Sequence, residues 1–165
     1  MFRKICIPVF SLFLLSITSF ASIGNANYSG EWKLDKEKSD LSGSPLYLSK
    51  IKITQEENSL QTTRTYMNQN GEQYPFDEVI TVDGEEREIM IYEMKRRTSA
   101  RWSEDSKSLL INSITKYYGD SGEEEFSIKE TVSLNDKGTI LSIAYTTNSV
   151  YGENTGTYFY SKAEE

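Results

Sequence analysis

The chain is expected to fold as an all-β protein, an antiparallel up-and-down meander closed into a β-barrel of about 8–10 strands. Three features lead there. Short stretches of two-residue alternation recur along it, clusters of Gly, Asn, Asp and Ser separate them, and no long stretch carries a 3.6-residue apolar period. In the clearest stretch Phe126, Ile128, Val132 and Leu134 share one face with Glu130, while Ser127, Lys129, Thr131 and Ser133 take the other. Further strands are read at Ile51 and Ile53, Leu60 to Tyr66, Ile89 to Met94, Thr98 to Trp102, Leu109 to Tyr118, Ile140 to Thr147 and Thr157 to Ser161. Turn signals fall between nearly all of them, with Asp83-Gly84 the strongest because both residue types tolerate the positive φ of tight hairpins. Connections this short make neighbours antiparallel and leave no room for helical crossovers. Rolling the meander up removes both of its free edges; a β-sandwich is the alternative. Residues 35–46 form the one longer connection, where Gly43 and Pro45 argue against much helix.

Ahead of the strands lies the three-part layout of a secretory signal. Arg3 and Lys4 give a basic start, Ile5 to Phe20 is an apolar run, and small residues follow. Gly24 and Ala26 suit the shallow subsites of a signal peptidase, so residues 1–26 read as the signal and 27–165 as one barrel domain; Ser19 and Ala21 offer a second cleavage point. The run falls short of the roughly 20 residues that span a bilayer, so no membrane insertion is expected after cleavage. Cys6 lies at the front of the apolar run rather than after it, which argues against lipidation, and the mature chain has no cysteine for a disulfide. The expected destination is periplasmic or extracellular.

Removing Arg3 and Lys4 leaves 16 Lys+Arg against 25 Asp+Glu, a formal charge near −9 (the whole chain carries −7). A field of that sign repels phosphate backbones and anionic lipid heads, which argues against nucleic acid and membrane surfaces as partners. The sequence contains no histidine. Ser-His-Asp and Cys-His catalysis are therefore excluded, and neither imidazole nor mature thiolate is present for zinc. No phosphate loop or dinucleotide fingerprint occurs, so no cofactor is implied. Carboxylates are plentiful, but Glu85-Glu86, Asp120 and Glu123 to Glu125 are read at turns, where charge runs face water. Gly119 to Glu125 offers hard oxygen ligands without the spacing of an EF-hand loop, so no metal site is assigned there.

The first mature strand reads Tyr28-Ser29-Gly30-Glu31-Trp32-Lys33-Leu34. Its Gly-x-Trp resembles the opening motif of lipocalins and the wider calycin group, which includes fatty-acid-binding proteins and avidins. The resemblance implies that Gly30 lets the chain start close beneath the barrel and that Trp32 plugs its closed end. The continuation Trp32 to Asp40 is similar to the start of small bacterial secreted lipocalin-like proteins. Their later pattern is matched by Asp83-Gly84, Arg101-Trp102, the Leu134 to Leu141 hairpin and the closing Tyr158-Phe159-Tyr160. Lipocalins usually set a basic residue of the last strand over the tryptophan, for which Lys162 is the nearest candidate. The helical lid of fatty-acid-binding proteins and the biotin-holding polar set of avidins have no counterpart, so no family ligand carries over.

Two charged residues sit on otherwise apolar faces: Arg64 with Leu60 and Tyr66, and Glu130 with Phe126 and Val132. A charge aimed into a core costs several kcal/mol unless paired or hydrated. Either Arg64 or Glu130 fixes the polar end of a mostly apolar ligand, or the two form a structural pair or lie near the barrel mouth, which is the plainer reading. Trp102 is a further ligand-binding candidate, although an aromatic beside Arg101 more often packs. The expected function is non-enzymatic: binding of a small apolar or amphipathic ligand inside the barrel. An extracytoplasmic protein-interaction or inhibitor module with an unknown protein partner is the alternative, and a carboxylate-dependent hydrolase the third reading.

Overall fold

A computed structural model describes residues 25–41, 46–91, 94–119 and 122–163. All but Asn25 and Ala26 of the expected signal, and also Asp120, lie outside the described residues. The strands are β1 (Gly30–Leu34), β2 (Leu46–Gln55), β3 (Ser59–Asn68), β4 (Gln73–Thr81), β5 (Arg87–Ile91), β6 (Met94–Trp102), β7 (Ser108–Gly119), β8 (Gly122–Leu134), β9 (Ile140–Ser149) and β10 (Gly152–Lys162). They form one antiparallel sheet in the order β4-β3-β2-β1-β10-β9-β8-β7-β6-β5. The first and last strands therefore pair, with Trp32 opposite Lys162. Only β4 and β5, consecutive in sequence, lack a ladder between them and form the sheet's two edges. Past the short β5, β4 comes close to β6, and the β4–β5 turn is tied to β6 by Gly84 N donating to Ala100 O at 2.8 Å. The result is a nearly closed barrel, with no helix among the described residues.

Three readings of the sequence are corrected. β4 was not expected as a strand: Pro75 and the Asp77-Glu78 pair hide its alternation. Proline is tolerated there because β4 is an edge strand, where a missing donor breaks no second ladder. Ile89 to Met94 is not one strand but the end of β5 and the start of β6, with Ile91 opposite Met94 across a two-residue connection. Tyr92 and Glu93 carry none of the usual turn chemistry, so the reversal is silent in the sequence. Glu123 to Glu125 lie within β8 rather than in a turn, paired with Tyr118, Tyr117 and Lys116 of β7.

A meander puts its connections alternately at two ends, and the two ends differ here. One is sealed. Tyr28 and Trp32 are fully buried there, and Trp32 Nε1 donates to Tyr28 O at 2.9 Å. The Tyr28 hydroxyl donates to Val132 O at 2.8 Å and lies 3.0 Å from Lys107 O. Burial pushes that phenol up to about 12. Ala26 is tied in as well, its carbonyl accepting from Gln55 Nε2 at 3.0 Å. Around this plug pack Ile53, Leu60, Ile80, Ala100, Leu109, Leu141 and Ile143, each large side chain contributing roughly 1.5–3 kcal/mol of burial. A β-bulge between Leu48 and Lys50 keeps both Leu48 and Ile51 facing inward.

The other end carries the connections after β1, β3, β5, β7 and β9. Leu46, Tyr74, Met94, Tyr118, Val150 and Tyr151, all exposed, stand around it, Tyr151 to 93%. It is the open end.

Candidate functional site: a paired charge belt beneath an aromatic mouth

Between plug and mouth the inward positions turn polar. Arg64 and Glu130 come from β3 and β8, which are five places apart in the sheet, so their contact crosses the barrel interior. It is bidentate: Arg64 Nη1 donates to Glu130 Oε1 at 2.9 Å and Nη2 to Oε2 at 3.0 Å. Both side chains are buried, 4% and 7% exposed. Burial pushes the Glu130 carboxyl up, but the Arg64 guanidinium, helped by Arg96, outweighs it and holds the group below its usual value of 4.5. Burial likewise opposes the charge on Arg64, and Glu130 opposite raises its pKa well above the ordinary value. Both stay charged.

A second ion pair lies beside the seam between the sheet edges. Arg96 Nη1 is 3.4 Å from Glu78 Oε2, and these side chains are 7% and 1% exposed. Arg96 also donates through Nη2 to Ser113 Oγ at 2.8 Å, while the Thr98 hydroxyl donates to Glu78 Oε1 at 3.4 Å. The Arg96–Glu78 contact is an ion pair without a hydrogen bond: Glu78 Oε2 and Arg64 Nε are both buried with no hydrogen-bond partner. Neither Glu78 nor Arg96 stood out in the sequence. Glu78 sits in the unrecognised β4, and Arg96 is the middle of Lys95-Arg96-Arg97, where only alternation from Thr98 and Ala100 distinguishes the inward residue from its exposed neighbours.

Above the belt, towards the open end, the inward side chains are mainly aromatic. Tyr66 stacks on Phe76 at 5.8 Å between centroids, and Tyr145 on Tyr158 at 4.8 Å. Arg96 lies over the Phe76 ring at 6.0 Å, joining this layer to the belt. Burial raises the Tyr66 and Tyr158 phenols; Arg64 partly offsets this for Tyr66, and hydrogen bonding to Tyr145 adds to it for Tyr158. Gly156 makes the Tyr145 position available, since a Cβ there would stand 2.6 Å from its hydroxyl. Tyr66, Phe76, Tyr145, Tyr158, Phe126 and Ile128 are only partly buried, unlike the plug. The wall itself opens on one side: the β8–β9 ladder stops at Ser127 opposite Asn148, although β8 continues to Gly122.

The expected site residues thus separate. Arg64 and Glu130 meet. Trp102 does not join them, because it lies at the sealed end of β6 and stacks on Tyr28 at 5.7 Å. Gly30 and Trp32 are at the plug: Gly30 has φ 139°, where a Cβ would meet Lys162 Cε at 2.8 Å. Lys162 Nζ sits 5.6 Å from the centre of the Trp32 ring, the arrangement for which it was the sequence candidate. Among the described residues no three carboxylates gather as a metal site. Glu123 pairs instead with Lys116 Nζ at 2.6 Å.

No protein-family model matches the chain, and no curated protein matches it in sequence. In structure it is similar to a secretary abundant heat soluble protein from Ramazzottius varieornatus, with a TM-score of 0.52 at 14% identity, covering 84% of this chain and 98% of that one. A zebrafish ileal bile acid-binding protein complexed with cholic acid gives a TM-score of 0.48 at 14% identity, over 82% of this chain and 98% of that one. At such identities the likeness is one of fold alone, an antiparallel β-barrel.

Proposed function

We propose that this is an exported, non-enzymatic barrel that takes a small apolar or amphipathic molecule through its open end. The observation that carries this is the asymmetry of the interior. One half is sealed by fully buried Trp32, Tyr28 and Tyr160; the other is lined by partly buried aromatic rings above a polar belt. Apolar walls with a few placed polar groups are the usual make-up of a small-molecule site. Hydrolysis by a carboxylate pair fits poorly, since each inner carboxylate faces a guanidinium rather than a second carboxyl. A protein-interaction role draws on the exposed rim of Tyr118, Val150 and Tyr151.

Native mass spectrometry of protein taken from the extracytoplasmic fraction of its own source tests both export and cargo. The expected species begins at Asn27 and carries a small molecule that is lost on denaturation. Cleavage after Ala21 instead would keep the Ala26 carbonyl that Gln55 binds, and the mass separates the two. An uncleaved chain would refute export, and a stoichiometric protein partner without a small molecule would favour the interaction module.

A further inference from the structure

The charge arrangement inside the barrel and at its mouth limits what the polar end of a ligand can be. Resting on the carrier reading, we infer that this end is uncharged: a hydroxyl- or amide-type head that accepts from Arg64 and donates to Glu78, on an apolar body lodged among the rings of Tyr66, Phe76, Tyr145 and Tyr158.

The inner belt holds two guanidiniums and two carboxylates, so its formal charge is zero. Both terminal nitrogens of Arg64 are already committed to Glu130. An incoming carboxylate would either displace Glu130 or accept from Arg64 Nε as a third anion in a belt with only two guanidiniums, and either way leaves a buried carboxylate without its own counter-ion, which is strongly unfavourable. What the belt still offers is one donor and one acceptor. Arg64 Nε and Glu78 Oε2 are buried without hydrogen-bond partners, in residues only 3% and 4% exposed, and buried polar atoms of that kind call for a partner. A hydroxyl or amide supplies both complementary functions without adding charge. A cationic head would answer Glu78 but has no lone pair for Arg64.

The rim agrees. Where the β8–β9 ladder stops, beside the exposed rim, lies an open groove of about 790 Å³ whose lining includes Glu123, Glu124, Glu125, Ser127, Asn148 and Tyr151. Lys116 offsets Glu123, while Glu124 and Glu125 add negative charge on a protein already acidic overall. Like charge at the mouth disfavours an approaching anion. Belt and mouth independently select against the same class of molecule.

Displacement of Nile red, an uncharged probe of apolar sites, from the protein near neutral pH by decanol, decanoate and decylamine tests this. Decanol is expected to displace the probe at a concentration at least about tenfold below that of decanoate, a difference of about 1.4 kcal/mol. Decanoate equal to or better than decanol would overturn the uncharged head while leaving the carrier intact, and so would a preference for decylamine. Failure of the protein to take up Nile red or any of the three would instead sink the carrier reading itself. Glu130→Gln, checked for its β-sheet circular dichroism, releases Arg64 and is expected to move the decanoate-to-decanol ratio about tenfold or more towards decanoate; an unchanged ratio would refute the inference. Should that variant not fold, Glu78→Gln removes the orphan acceptor, keeps the Arg64–Glu130 pair, and is expected to weaken decanol; unaltered decanol binding would also refute it.

Discussion

Glu130→Ala is expected to lower the free energy of unfolding by about 3–5 kcal/mol, the largest loss from any single polar substitution in the interior. The cause is not the loss of an attractive pair as such. Arg64, fixed across the barrel and only 3% exposed, would remain charged without the carboxylate that pairs with it. Replacing both partners together, as Arg64→Met with Glu130→Leu, removes that penalty, and the double variant is expected within about 1 kcal/mol of wild type or above it. Urea unfolding of wild type, Arg64→Met, Glu130→Leu and the double variant gives the coupling energy directly. A double variant as unstable as Glu130→Ala would show that the pair contributes more than neutralisation.

The same pair sets a pH dependence whose sign is fixed by Glu130. Its folded-state pKa lies below the usual 4.5, so its stabilisation is fully present above about pH 4.5 and is lost as pH falls through the depressed folded value. Wild type is expected to lose stability more steeply with acid than the double variant does.

Trp32→Ala is expected to cost about 3–5 kcal/mol. Trp32 has no exposed surface, its indole N–H is satisfied by the Tyr28 carbonyl, and Lys162 covers its ring from the last strand. The substitution leaves a hole where β1, β2 and β10 meet, and these strands join the two halves of the sheet. Trp32→Phe keeps most of the ring volume and loses the hydrogen bond, so it is expected to lose distinctly less. The midpoint of urea unfolding reads both; a loss below about 1 kcal/mol for alanine would mean that the plug repacks freely.

Strand alternation made most of this fold legible beforehand. On β8 it placed Glu130 on the same face as Val132 and Phe126, and on β3 it placed Arg64 with Leu60. Opposite charges on two apolar faces then pointed to a pair. What alternation could not supply was the partner strand of the second pair. Glu78 lies in a stretch with proline and two adjacent acids, which reads as a turn unless the edge position of β4 is already known. Arg96 is one of three consecutive basic residues, and its inward orientation follows only once β6 is extended back to Met94. Trp102 shows the opposite limit: its residue type suited a ligand site, but the strand's direction carried it to the sealed end against Tyr28. The acidic groove was also hidden, because Glu123 to Glu125 line it only where the β8–β9 ladder ends early, a property of pairing rather than of sequence.

The account depends on a ligand lodging in the aromatic half of the barrel, above the charge belt and away from the plug. Backbone amide chemical-shift mapping of the isotope-labelled protein, titrated with decanol, tests that directly. The largest shifts are expected around Tyr66, Phe76, Tyr145 and Tyr158, with Trp32 and its neighbours unmoved. Shifts confined to the exposed rim at Tyr118 and Tyr151, or an unperturbed spectrum at saturating decanol, would contradict it.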